Sequence, residues 1–279
     1  MTDGRASPAI RLEIGGRPIH ADLAAGRDLA IALEFDGVQP RWFGAPPARS
    51  TAFASGDFSG RVAGGASCNC STFTLTPHCD GTHTECAGHL TREPLEVRTI
   101  VPLEPVPALL ISVTPVAAGS VTESSRPSPL PGDRLVTAAA IAAAWPARLP
   151  YEPRALIIRT LPNPATKRRR DYLAEPAAFL SLAAAQLLVE RGIEHLVLDL
   201  PSADRASDGG QLSAHRAFFG LPAGSTALAD VARSRCTITE LAFADDSIAD
   251  GCYLLMLQVP ALGGDALPSR PIIYPVRAA

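Results

Sequence analysis

Three consecutive segments in the second half of the chain restrict its fold more than any others. Residues 155–160 (ALIIRT) form a short apolar run with the composition of a strand buried on both faces. Residues 177–191 carry apolar side chains at helical spacing and run into Gly192, a residue suited to the left-handed conformation that ends helices. Residues 193–200 (IEHLVLDL) read as a strand again. Strand, helix and strand in this order predict a right-handed βαβ crossover between parallel neighbours. The fold class is therefore α/β, a mixed sheet with few helices.

Alternation or apolar runs mark further strands at residues 10–14, 28–35, 70–76, 97–103, 108–115, 236–241 and 253–259. Gly15, Gly16 and the pair Arg17-Pro18 make a hairpin turn between the first two. Thr137 is placed to cap an Ala-rich helix that must stop before Pro146. Residues 36–67 and 120–132 are rich in small residues and proline and read as loops, and residues 201–216 read as a polar loop. The chain shows no internal repeat. Its 279 residues are read as a single domain (1–279), with an N-terminal arm at 1–35 and a core at 70–279.

With 47% hydrophobic and 19% charged residues the chain is expected to be globular. A formal net charge of -3 counts against nucleic acid as a partner, which calls for a basic face. The one basic run, residues 167–170, lies beside Pro162 and Pro164 and reads as a solvated loop or a phosphate contact. The opening residues lack the apolar stretch of a signal peptide, and no run approaches the ~20 apolar residues of a membrane span. Four of the six cysteines stand at 68, 70, 79 and 86, in no disulfide framework. A cytoplasmic location with reduced thiols and no membrane partner is the expectation.

Chemistry concentrates in residues 76–91, TPHCDGTHTECAGHLT. This stretch holds three of the six histidines (His78, His83, His89), the cysteines Cys79 and Cys86, and the acids Asp80 and Glu85. Buried imidazoles and carboxylates cost free energy unless paired or bound to a metal, so a core would not collect them. His83 and Glu85 are two apart and share one face of an extended segment. Both could reach one metal ion, alongside Cys79 or His78. Gly81 and Gly88 allow sharp turns, and His89 after Gly88 is placed to serve as a base next to metal-activated water. Trp42 and Phe43, an aromatic pair on a loop, read as packing onto the core or a subunit contact, with the lining of a substrate pocket as the other use. His20 and His195 read as structural, and Cys236 and Cys252 as buried thiols.

Residues 79–89, CDGTHTECAGH, resemble the signature of the cyclase family of metal-dependent hydrolases, which includes kynurenine formamidases (arylformamidases) and isatin hydrolases. The family pattern is His-x-Gly-Thr-His-x-Asp-x-Pro-x-His. Gly81-Thr82-His83 and His89 match it. Cys79 stands at the first His, Glu85 at the Asp and Ala87 at the Pro. Further blocks follow in order: Asp199, Ser202 and Asp204 match an Asp-x-x-Ser-x-Asp pattern, then come His215-Arg216 and a strand carrying Glu240. The closing PSRPIIYPVRA resembles the family's Pro-x-Arg segment.

The resemblance implies the swivelling β/β/α fold. It implies His83 and Glu85 as metal ligands, completed by Cys79 or His78, and His215 and Glu240 around a second ion that Glu85 bridges. One or two Zn²⁺ or Mn²⁺ ions are implied, with His89 as general acid/base. Thr82 would shape the loop or bind an oxygen, and Asp80 would stand beside the ligands. The activity implied is metal-dependent hydrolysis of a C–N bond in an amide, formamide or lactam of a small molecule, by a homodimer or homotetramer. A lactone hydrolase or dehydratase, and a non-catalytic binding homologue, are the alternatives.

Overall fold

Residues 155–160 are all buried in a strand flanked on both sides by parallel neighbours, as their unbroken apolar character requires. The computed structural model describes residues 9–278, so the first eight residues of the N-terminal arm and Ala279 lie outside the described residues. Among the described residues eleven strands form one mixed sheet. In chain order they are β1 (Ala9–Ile14), β2 (Arg17–Asp22), β3 (Arg27–Asp28), β4 (His83–Cys86), β5 (Val106–Val113), β6 (Ala155–Thr160), β7 (His195–Leu198), β8 (Thr237–Glu240), β9 (Gly251–Met256), β10 (Ala266–Pro268) and β11 (Ile272–Ala278). Their order across the sheet is β1-β2-β11-β9-β5-β6-β7-β8-β4-β10, with β3 on β11.

The central strands β5, β6, β7 and β8 run parallel, and the other pairings are antiparallel. Each parallel step is bridged by a helix: α1 (Ala138–Ala144), α2 (Leu182–Glu190) and α3 (Ser213–Phe219). Thr137 caps α1 through Ala140 N, and Gly192 beyond α2 has φ +72°.

Period-two alternation divides the core. Leu109, Ile111, Leu156, Ile158, Leu196, Leu198 and Ile238 pack against the three helices. Ala108, Leu110, Ala155, Ile157 and Val197 face the opposite layer with Leu29, Leu255 and Ile273. Pairing of β8 with β4 sets Ile238 opposite Glu85 and Glu240 opposite His83. Since Ile238 faces the helices, Glu240, His83 and Glu85 are turned to the helix side as well.

Several expected elements differ. Of residues 28–35 only Asp28 is in a strand; beyond it Ala30 makes an isolated bridge to Ala242. Residues 97–103 hold a 3₁₀ turn, Val97–Thr99, in place of a strand. Ser71–Thr74 pairs antiparallel with Arg49–Ala52 in an exposed two-stranded sheet, and a turn at residues 76–80 separates it from β4. Residues 213–216 belong to α3, so His215 is helical rather than on a loop. The basic run is not all solvated: Lys167 is buried, its Nζ 2.7 Å from Asp199 Oδ2 and donating to Thr160 O. Thr160 N and Oγ1 also donate to Asp199, which ties the end of β6 to the end of β7.

His195 opens β7, buried, with Nδ1 2.9 Å from Thr237 Oγ1. Burial, only partly offset by the charge of Glu194, pushes its pKa from 6.5 to about 4. Between these values the unfolded chain takes a proton that the folded chain refuses. Stability from this site is complete above pH 6.5 and is lost as pH falls to about 4, by roughly 3 kcal/mol in total. In urea melts at pH 7, 5.5 and 4.5, His195→Gln should lose less stability with acid than the wild type. Identical losses would remove His195 from the acid response.

Candidate metal centre

The turn at residues 76–80 and the strand β4 bring the donors in. Thr76 O accepts from Cys79 N and Asp80 N, and Thr76 N donates back to Asp80 Oδ2 at 2.6 Å. Asp80 is thus spent on closing the turn. Gly81, at φ +75°, passes the chain into β4. Thr82 Oγ1 accepts from Ile31 N and donates to Leu241 O, fixing the loop to the residue after Glu240. After β4, a 3₁₀ turn over Ala87–Leu90 swings His89 back; a Cβ on Gly88 would lie 2.4 Å from Leu95 O.

Asp204 accepts from Ala214 N at 2.8 Å and His215 N at 3.0 Å, capping α3, and its Oδ2 lies 2.7 Å from His215 Nδ1. The imidazole is thereby turned so that Nε2 stands 2.8 Å from Glu85 Oε1 and 3.5 Å from Glu240 Oε1. Glu85 Oε2 lies 2.9 Å from His78 Nδ1, and His83 Nε2 lies 3.4 Å from Glu240 Oε2. His83 Nδ1 is held by Gly81 O at 3.1 Å. The rings of His78 and His89 lie 4.1 Å apart between centroids.

Among the described residues three sets place one donor atom per residue within 4.8 Å of one another: His78, His83 and Glu85; Glu85, His215 and Glu240; and His78, His89 and Asp265. Of the two candidates for the first donor, His78 is in these sets and Cys79 is not. Cys79 is packed with Trp42, Tyr172, Leu241 and Phe243. Burial, then the charges of Asp80 and Glu240, push its thiol up to about 11.

The charges are balanced within the cluster. Burial opposes ionisation of Glu85, yet the charges of His215 and His89 hold its pKa well below the usual range. Burial and the charge of Glu85 oppose ionisation of Glu240, but the neighbouring imidazoles of His215 and His83 hold its pKa below the usual range. Burial opposes charge on His215; Glu85, Asp204 and Glu240 raise its pKa well above 6.5 regardless. His78, likewise against burial, is raised to about 10 by Asp265 and Glu85.

Two buried atoms, His83 Nε2 and Glu85 Oε1, have neighbours in reach but none aligned for a hydrogen bond. Buried lone pairs that converge without hydrogen-bonding are what a cation site presents, and this nitrogen-and-carboxylate set fits a divalent ion.

A cavity of about 370 Å³ opens over the cluster, lined by His78, Cys79, Glu85, His89, His215 and Glu240 and, along one side, by Arg205, Ala206, Asp208, Gly209 and Gly210. Trp42 and Phe43 also line it. Trp42 is buried edge-on to Tyr172, so it both packs the loop and walls the cavity. Phe43 is 70% exposed at the rim with φ 51°, a left-handed conformation that non-glycine residues seldom adopt.

Residues 27–205, more than half of the chain, match the model of the Cyclase family, described as "Putative cyclase". The chain belongs to the cyclase family. The fold agrees. A predicted metal-dependent hydrolase from Bacillus stearothermophilus is 18% identical, with a TM-score of 0.57 over 89% of this chain and 97% of the other. An isatin hydrolase bound to the product analogue thioisatinate is 15% identical, with a TM-score of 0.56 over 90% of this chain and 92% of the other. Isatin hydrolase A from Ralstonia solanacearum is 18% identical, with a TM-score of 0.57 over 89% and 91%. At these identities the likeness is one of fold. No curated protein matches the sequence.

The family match ends at residue 205, before His215, Glu240 and Asp265, which stand on α3, on β8 and just before β10 of this cyclase-family chain. Sequence reasoning missed Asp265. Its only local signal is the pair Gly263-Gly264 ahead of a short apolar strand. Asp204, matched within a motif, gains a physical task as the cap and orienter of His215. Asp204→Ala leaves buried donors on α3 unpaired and should cost about 3 kcal/mol in urea unfolding, with Asp204→Asn losing less because an oxygen still accepts. An unchanged midpoint in the Ala variant would show that the cap carries no weight.

Proposed function

We propose that the chain is a metal-dependent hydrolase that cleaves a C–N bond in an amide, formamide or lactam of a small molecule. The observation that carries this reading is the sharing of Glu85 between two donor sets at the floor of a cavity flanked by His89. Membership in the cyclase family supports it, as do the names of the fold neighbours, metal-dependent hydrolase and isatin hydrolase.

In this reading His78, His83 and Glu85 hold one ion, and Glu85, His215 and Glu240 hold a second. Mixed imidazole and carboxylate donors suit Zn²⁺ and also accept Mn²⁺. A divalent ion held there supplies Lewis acidity, which polarises a carbonyl and acidifies water. His89 stands half-buried beside His78 and within 5.8 Å of His215 between ring centroids, close enough to serve the same reacting centre. It takes the role of general acid/base and delivers a proton to the leaving nitrogen. Trp42 and Phe43 offer aromatic surface to a flat substrate. No helix among the described residues is long and apolar enough to cross a membrane. A cytoplasmic homodimer or homotetramer of one catalytic domain completes the proposal, on the strength of the family resemblance.

Metal analysis of the purified chain should find one or two ions. Turnover of a formamide or lactam should stop on chelation and return with Zn²⁺ or Mn²⁺. His89→Ala should lower kcat by about 10²–10⁴-fold at unchanged metal content. Full activity in that variant would remove His89 from the chemistry. Preference for an ester over its matching amide would assign the site to C–O bonds.

A further inference from the structure

Resting on the metal-site reading above, we infer that Asp265 is a positioning residue that fixes His78 as a metal ligand and shares its carboxylate with His89. Each imidazole of the two sets that share Glu85 has an oxygen on the nitrogen away from its glutamate. His83 Nδ1 has Gly81 O at 3.1 Å, and His215 Nδ1 has Asp204 Oδ2 at 2.7 Å. His78, whose Nδ1 faces Glu85, has Asp265 Oδ2 at 2.8 Å from Nε2. A metal-binding imidazole needs such a partner to fix its tautomer and ring orientation.

His78 needs it most of the three. It sits in a turn, half-exposed, whereas His83 is on a strand and His215 on a helix. Asp265 reaches it from a backbone tethered on both sides. Its own carbonyl accepts from Cys86 N at 3.0 Å, and that of Gly264 accepts from Val97 N at 2.9 Å. The next residue, Ala266, pairs with Glu85 in β4. Gly264 has φ 142°, which side chains with a Cβ rarely tolerate, and Gly88 leaves room, since a Cβ there would lie 3.1 Å from Asp265 Cβ. The same Oδ2 lies 3.5 Å from His89 Nδ1. One carboxylate thus sets the spacing between a ligand and the proposed proton donor.

The test is Zn²⁺ affinity by chelator competition, with the visible spectrum of the Co²⁺ form as a measure of ligand geometry. Wild type, His83→Ala, Asp265→Ala and Asp265→Asn are compared, with far-UV circular dichroism to confirm folding. Asp265→Ala should bind Zn²⁺ about 10–100-fold more weakly and shift the Co²⁺ bands. Asp265→Asn keeps an acceptor oxygen and should fall between, and it carries the test should the Ala variant not fold. Wild-type affinity and spectrum in the folded Asp265 variants, with binding lost in His83→Ala, would overturn this inference alone. Wild-type binding in His83→Ala would overturn the metal-site reading and take this inference with it.

Discussion

Two carboxylates of like charge, Glu85 and Glu240, are buried on neighbouring strands, and the rest of the site answers that constraint. Removing each from water costs several kcal/mol before compensation, and their charges repel. The compensation is local. His215 reaches both, His83 reaches Glu240 and His78 reaches Glu85. Strand register makes this possible. A slip of one residue between β4 and β8 would turn Thr84 and Cys86 to the helix side and bury Glu85 in the apolar layer opposite. The Thr84–Thr239 hydroxyl pair, 2.7 Å apart on the other face, holds the register in place.

The parallel part of the sheet explains where these groups come from. Chains leaving parallel strands diverge at the carboxyl ends and leave a crevice there. Glu240 is the last residue of β8, and Asp204 follows β7 by a short loop. Asp199 and Lys167 form a buried pair behind them and fasten the ends of β6 and β7. Unlike a surface ion pair, this one is also hydrogen-bonded to Thr160 on both partners, which offsets its desolvation. Asp204 stands on that fastened base when it caps α3 and aims His215.

The parts of this architecture that were legible in the sequence were the locally encoded ones. The parallel core announced itself because strands buried on both faces need unbroken apolar runs, as in Ala155–Thr160. The cluster His78 to His89 stood out because an Ala- and Leu-rich chain has no structural use for so many ionisable groups. Residues 28–35 and 97–103 misled because an apolar segment packs equally well without ladder partners. Leu29 and Val97 are buried as expected, but outside any strand, Val97 in a 3₁₀ turn. Asp265 was illegible for another reason. Its value comes from β10 pairing with β4, a contact across most of the chain that no local spacing encodes.

The departures at Cys79 and Glu85 are linked through geometry. Cys79 takes an apolar place with Trp42 and Phe243, and the imidazole arrives from His78, one residue earlier on a turn. A donor on a turn stands apart from the strand face where an aspartate would end. Glutamate adds one methylene of reach. With it, Oε2 meets His78 at 2.9 Å while Oε1 meets His215 on α3 at 2.8 Å. One carboxylate therefore spans the turn and the helix, with each oxygen committed to a different side. Its position on β4, between strands on both edges, keeps that longer side chain from wandering. The longer side chain at position 85 is thus what joins His78 on the turn to His215 on the helix.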